Sequence, residues 1–188
     1  MMADTQIQKN AFNEPEERQT LVSPVRRHTI AVTVENEFGV LARVAGLFSG
    51  RGYNLESLSV AETLEPGVSR ITLTTSGTDL VIEQITKQLN RLINVLKVVD
   101  LTDLVRIDRE LVLIKVAAES ASARDEVTRA VEVFRAKIID AWPRGYVIEA
   151  TGDAAKLKGL IDLLRPLGIK EVVRTGQVAI ARGDAGGL

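Results

Sequence analysis

The sequence has no cysteine and a single histidine, His28. The absence of cysteine excludes disulfide bonds, thiolate metal sites and cysteine nucleophiles, and it suits a reducing cytoplasm. One histidine leaves few ways to build a histidine-based metal site or acid–base pair, so we interpret His28 as a polar residue at a strand end. No P-loop, GxGxxG, GxSxG or HExxH motif occurs. The sequence therefore offers no recognisable catalytic centre.

Aromatic residues and excess charge are also scarce. Aromatics make up 4% of the chain, and 24 basic against 25 acidic side chains leave a formal net charge of −1. The chain thus lacks both the stacking residues and the basic field that hold nucleic acids, and it lacks the basic field that attracts an anionic membrane. No apolar run approaches the roughly 20 residues that span a bilayer, and the first residues show no signal-peptide pattern. We expect a soluble, cytoplasmic protein that contacts neither nucleic acid nor membrane.

Apolar residues make up 45% of the chain, enough for a sizeable core. We expect residues 1–26, which are polar and contain two prolines, to form a flexible tail, and residues 184–188 to form a second one. From residue 27 onward the pattern is regular. Alternation of aliphatic residues with small or polar ones over 30–35 predicts a half-buried strand.

A helix with an apolar stripe follows that strand, and the order strand, strand, helix, strand completes a first βαββαβ unit. Thr78 or Asp79 can cap its second helix. The predicted stripes are Val40, Leu41, Val44, Leu47 and Phe48 in the first helix and Val81, Ile85, Leu89 and Leu92 in the second. The predicted strands after the first are 53–61, 70–75 and 95–101.

Residues 102–109 carry no turn glycine, and we interpret them as a short connection. The same order of elements then repeats, with helices capped by Ser120 or Ser122 and by Asp153, and a short last strand over 178–181. The sequence predicts an α+β protein with two tandem ferredoxin-like βαββαβ domains, residues 27–102 and 103–183.

The turn around Gly39 is the strongest candidate for a ligand site. The backbone N–H groups of Gly39, Val40 and Leu41 open the first helix, and such groups attract an anion, for example the carboxylate of an amino acid. A glycine that is needed only for the backbone angles of the turn would give the same sequence pattern. Asn36 and Asn54 can each donate and accept hydrogen bonds to a zwitterion, or they can simply stabilise turns.

Apolar residues beside these polar groups are Val40, Leu41 and Leu55. They can line a pocket for a branched aliphatic side chain, pack in the core, or do both. Glu35 and Glu37 favour the positive end of the helix dipole, an ordinary arrangement for solvent-facing acids.

The run ENEFGVLARVAGLFSGRGYNLESLSVA resembles the ACT domain of the small, regulatory subunit of acetolactate synthase (acetohydroxyacid synthase). RELVLIKV, RDEV and FRAKIID resemble the C-terminal domain of the same family. The resemblance extends from His28 to near Arg182. It implies a non-catalytic subunit that activates a large catalytic subunit and confers feedback inhibition by valine in branched-chain amino acid biosynthesis. The large subunit would hold thiamine diphosphate, Mg²⁺ and FAD, and this chain would hold no cofactor.

The resemblance also implies that ACT domains pair into a homodimer with the effector at the interface. Asn36, Gly39, Val40 and Leu41 of one chain would then meet Asn54 and Leu55 of the other. Glu37 and Phe38 complete the candidate effector site. Phe38 departs from the small residue or proline usual in the family, and its ring would narrow or cover the pocket. A free-standing amino-acid sensor of the same fold is the alternative, and an enzyme on this scaffold is a third reading.

Overall fold

A computed structural model describes residues 24–183. The predicted tails lie outside this range, except for residues 24–26, of which Arg26 already belongs to the first strand. The strands are β1 Arg26–Glu35, β2 Ser57–Glu62, β3 Val68–Gly77, β4 Val95–Asp100, β5 Arg106–Ala117, β6 Lys137–Trp142, β7 Gly145–Gly152, β8 Ile169–Arg174 and β9 Val178–Ala181. The helices are α1 Val40–Ser49, α2 Asp79–Leu89, α3 Ala121–Val133 and α4 Ala154–Leu164.

Two antiparallel sheets form, in the strand orders β2-β3-β1-β4 and β6-β7-β5-β8. Each has the first and third strands of its βαββαβ unit at the centre, which is the ferredoxin-like order. Each sheet carries its two helices over an aliphatic core. The predicted fold class is confirmed.

Side-chain caps begin three of the four helices. Thr78 Oγ1, Ser120 Oγ and Asp153 Oδ1 each accept a hydrogen bond from the amide three residues further on, at 3.5, 3.1 and 2.8 Å. Thr78 and Ser120 are therefore the caps, and the alternatives Asp79 and Ser122 are not. In α2 the fully packed residue of the first turn is Ile82 rather than the predicted Val81, which is only partly buried.

The prediction of a half-buried first strand is wrong, because β1 is buried on both faces from His28 to Val34. One face packs on the helices. The other face meets β9, where Ala31, Leu101 and Ala179 form a small cluster of buried side chains. The Arg70 side chain donates to the carbonyl of Ala179 at 3.1 Å across the same contact. Small side chains on this face of β1 let β9, which belongs to the second βαββαβ unit, pack closely against the first sheet.

The predicted connection over 102–109 is also too long. β5 begins at Arg106, and its first four residues pair with β9, from Arg106 opposite Ala181 to Arg109 opposite Val178. Charged residues on this part of β5 hid the strand, because its edge position does not demand an apolar alternation. The predicted last strand over 178–181 is confirmed, whereas the predicted strand over 53–61 begins only at Ser57.

His28 lies near the start of β1, as predicted, and is buried there, with only 1% of it accessible. Its Nδ1 lies 3.2 Å from the hydroxyl of Thr102 and 3.5 Å from a carboxylate oxygen of Asp100. Beside it, Arg26 binds both carboxylate oxygens of Asp103 at 2.6 and 2.8 Å, and this pairing lowers the pKa of Asp103. These contacts fix the start of β1 to the segment that follows β4.

Candidate effector site

The turn between β1 and α1 is built around a glycine in the left-handed region. Gly39 has φ 81° and ψ 0° and is the N-cap residue of α1. A Cβ atom placed on Gly39 would meet no atom of the described residues within 4 Å. Glycine is therefore favoured here by its backbone angles and not by lack of space. The space in front of the turn is open to a ligand.

Some backbone N–H groups of this turn donate hydrogen bonds within the chain, and others do not. The N–H of Glu37 donates to the carbonyl of Glu35 at 2.9 Å, and that of Val40 donates to the carbonyl of Glu37 at 3.3 Å. Val40 therefore does not offer a free amide, contrary to the prediction. Within residues 24–183 the amides of Gly39, Leu41 and Ala42 have no hydrogen-bond acceptor, and no side chain caps α1. These amides and the helix dipole favour an anion at this end of α1.

Asn36 anchors the turn to the neighbouring hairpin. Its backbone N–H donates to the carbonyl of Gly67 at 2.7 Å, and its Nδ2 donates to Glu62 Oε1 at 2.7 Å. Its Oδ1 has no partner among the described residues. In this arrangement the Asn36 side chain can accept from an ammonium group through Oδ1, while one of its two N–H groups donates to Glu62.

Asn54 and Leu55 lie beyond the other end of α1. The backbone carbonyl of Asn54 accepts from the hydroxyl of Thr75 at 2.7 Å, whereas its exposed side chain has no partner in the described part of the chain. Leu55 packs partly against the first core. The ten residues of α1 separate the two groups by about 15 Å at 1.5 Å per residue. One chain therefore does not bring together the two predicted halves of the site.

Two features of this unit are suited to pairing with a second copy. β2 is an edge strand, and no described strand pairs with its outer side. The side of α1 that does not face the core is apolar and accessible, with Leu41 41% exposed and the small residues Ala42 and Gly46 beside it. An open strand edge next to an apolar helix face is a typical interaction surface.

The residues predicted to line an apolar pocket do not all lie on the same surface. Val40 is 7% exposed and belongs to the core, whereas Leu41 reaches the surface. The Phe38 side chain is fully exposed, at 102% of its reference area, and therefore does not cover the turn within one chain.

Sequence reasoning missed Asn94, which lies between α2 and β4. Asn94 is 4% exposed, and its side chain binds Glu35, Glu37 and Arg43. The prediction that these two acids face solvent is therefore incomplete, since both carboxylates accept hydrogen bonds from Asn94. A single asparagine before a strand has no pattern that would reveal this contact.

A cavity of about 590 Å³ lies elsewhere, between the outer face of β2 and β3 and the β5–β9 pair. None of the eight predicted effector residues lines it. A site shared by two chains forms no enclosed cavity in one of them, so this cavity does not bear on the predicted site. In the part of the chain that the structure describes, no group of three acidic or histidine residues is placed to hold a metal ion, and no helix has the length and apolar character needed to cross a membrane.

Each half of the chain matches a known family model. A family model described as an AHAS small subunit-like ACT domain matches residues 30–97, and one described as the small subunit of acetolactate synthase matches residues 109–183. The acetolactate synthase small subunit of Aquifex aeolicus is 54% identical over 183 residues, which cover 96% of this chain and 95% of that protein. That of Mycobacterium bovis is 49% identical over 161 residues, covering 86% and 95% of the two chains.

A solved structure gives the same result. The crystal structure of the acetolactate synthase small subunit from Thermotoga maritima superposes with a TM-score of 0.76 at 40% identity, over 85% of this chain and 99% of that one. Both sheets of the fold and the two family matches thus point to the same group of proteins. The chain belongs to the family of acetolactate synthase small subunits.

Proposed function

We propose that this chain is the regulatory subunit of a cytoplasmic acetolactate synthase. It binds a large catalytic subunit, raises the activity of that subunit and makes it sensitive to feedback inhibition by valine. The catalytic subunit supplies thiamine diphosphate, Mg²⁺ and FAD, and this chain supplies no catalytic group. The observation that carries the proposal is the set of amides at the start of α1 that have no acceptor among the described residues. They lie beside an exposed apolar face of the same helix.

The chemistry of that turn suits an amino acid with a branched side chain. The amides of Gly39, Leu41 and Ala42 would bind the carboxylate, and Asn36 Oδ1 would accept from the ammonium group. The exposed Leu41 side chain would contact the aliphatic branch. A single chain covers only one side of such a ligand.

A second copy would supply the other side. In a two-fold pair joined along β2 and α1, the N-terminal end of one α1 approaches the C-terminal end of the other. Asn54 of the second chain would then face the Gly39 turn. Its side chain has no partner within residues 24–183, and its backbone is held by Thr75. Leu55 of the second chain would extend the apolar wall, and Phe38 would lie at the interface.

We further propose residues 27–102 as the domain that dimerises and binds the effector, and 103–183 as the second domain. Effector binding can change the activity of the catalytic subunit only if valine has different affinities for two arrangements of the pair. In our proposal, valine favours the arrangement that holds the catalytic subunit in a less active form.

The direct test is reconstitution with the large subunit of an acetolactate synthase. We expect acetolactate formation to increase when this chain is added and to fall again when valine is added. The large subunit alone, with and without valine, is the control. If the two chains do not associate, while valine still binds this chain, the free-standing sensor is the correct reading.

A second test asks whether two chains share each site. Gly39→Asp damages one half of the site, and Asn54→Ala damages the other. In a heterodimer of these two variants, one site receives both changes and the other receives neither. A random equal mixture should therefore recover roughly a quarter of the wild-type valine sites, whereas each variant alone recovers none. Calorimetric stoichiometry measures this fraction, and no recovery on mixing would contradict a shared site.

A further inference from the structure

We infer that Asn94 positions the effector turn, defined here as residues 36–41, and thereby sets the affinity for the effector. The inference rests on the proposed function for its binding readout. It concerns a residue outside the turn itself and 53 positions from Leu41 along the chain. Asn94 does not contact the ligand in this account and is a positioning residue.

The contacts of Asn94 reach three consecutive elements. Its Nδ2 donates to Glu35 Oε2 at 2.9 Å and to Glu37 Oε2 at 2.8 Å. Its Oδ1 accepts from the Arg43 guanidinium on α1, and its backbone carbonyl accepts from the N–H of Glu35 at 2.9 Å. One buried side chain thus ties the end of β1, the turn and the helix together.

Glu37 is the central residue of that turn. Its N–H bonds to Glu35, and its carbonyl accepts from the amide of Val40. The direction of the free amides at Gly39 and Leu41 therefore depends on the position of Glu37. Because the carboxylate of Glu37 is held by Asn94, the amide of Asn94 fixes the position of the whole turn.

Charge explains why an amide is needed at this position. Two carboxylates share one nitrogen donor, and without that donor Glu35 and Glu37 would repel each other and lose a hydrogen-bond partner in a partly buried place. Asn94 supplies both N–H groups to the carboxylates and presents its oxygen to the Arg43 cation. A hydrophobic residue supplies neither group, and an aspartate would add a third carboxylate.

The test compares the wild type and variants of the full-length dimer by calorimetry with valine. We expect Asn94→Ala to raise the Kd at least about tenfold, because both charge-assisted hydrogen bonds are lost. Asn94→Asp should do the same or more. Adding Glu35→Gln and Glu37→Gln to Asn94→Asp should restore affinity to within about threefold, since the new amides at positions 35 and 37 then donate to the new carboxylate at position 94 and no carboxylate is left beside it.

Asn90→Ala is the matched control. Asn90 is an exposed asparagine four residues away whose Nδ2 binds the carbonyl of Thr86. It has no contact with the effector turn among the described residues, so its removal should change the Kd by less than about twofold.

Amide hydrogen exchange separates this inference from the proposed function. In the absence of any effector, the N–H groups of Glu37 and Val40 should exchange faster in Asn94→Ala than in the wild type, with α3 and α4 unchanged. If the wild type binds no valine, the proposed function fails, and the exchange result still decides whether Asn94 holds the turn. Wild-type exchange and wild-type affinity in Asn94→Ala would overturn the inference. If that variant does not fold, Asn94→Asp with and without the pair Glu35→Gln and Glu37→Gln decides it, and absence of rescue overturns it.

Discussion

Replacing Gly39 with aspartate is expected to abolish valine inhibition while the chain still folds and assembles with the catalytic subunit. The new carboxylate would lie beside the free amides to which we assign the carboxylate of valine. Two like charges about 4 Å apart repel by about 4 kcal/mol in a partly screened site. Valine affinity should therefore fall at least about a hundredfold. Calorimetry on the purified full-length chain and an inhibition curve on the chain reconstituted with a catalytic subunit measure the loss.

Gly39→Asn is the matched control for this change. Any side chain at position 39 must adopt the left-handed backbone of Gly39, at φ 81°, which asparagine and aspartate tolerate better than most residues. Neither side chain meets a clash at its Cβ. The two variants therefore carry the same backbone strain and nearly the same shape, and they differ in charge. Equal valine affinity in the two would show that charge at this position does not matter and would contradict the anion site.

Replacing Ala179 with lysine should destabilise the protein by about 2–4 kcal/mol, because an unpaired cation would be buried in the contact between β9 and the first sheet. Ala179 is 7% exposed and packs on Ala31 and Leu101. The nearby Arg70, which binds the carbonyl of Ala179, would repel the new charge. The free energy of unfolding, measured by urea denaturation and circular dichroism, gives the size of the effect.

Val178→Lys provides the comparison on the same strand. Val178 is 49% exposed and lies on the opposite side of β9, so its replacement should change stability by less than about 0.5 kcal/mol. Similar stability losses at both positions would indicate a general effect on β9. Similar tolerance at both positions would show that the second unit does not cover the first sheet in solution.

Much of the fold could be predicted because its signals are local. The period of the apolar residues, the cap residues Thr78 and Asp153, and the turn glycines each act within a few positions of the chain. The two βαββαβ orders followed from them. The candidate turn was found for the same reason, since Gly39 and Asn36 are neighbours in sequence and a helix start requires unpaired amides.

The errors arose where a residue's environment is supplied by distant chain segments. Ala31 and its neighbours have the small or polar character of a solvent face, and only the position of β9 makes that face buried. Likewise, Arg106 and Asp108 do not look like strand residues until β9 pairs with them. Asn94 acquires its role from two glutamates that precede it by 59 and 57 positions.

The sequence by itself determined most of the elements and their order, because hydrophobic periodicity and capping depend on residues close in the chain. Its resemblance to known sequence runs indicated the family. Only the tertiary structure decided that the Val40 N–H is hydrogen-bonded within the turn and that the Asn36 side chain is held by Glu62. It also decided that a buried asparagine, Asn94, binds two carboxylates beside the candidate site. Hydrogen bonds between distant segments depend on distances of a few tenths of an ångström. Such distances are set by the packing of whole sheets and helices, and no short stretch of sequence specifies them.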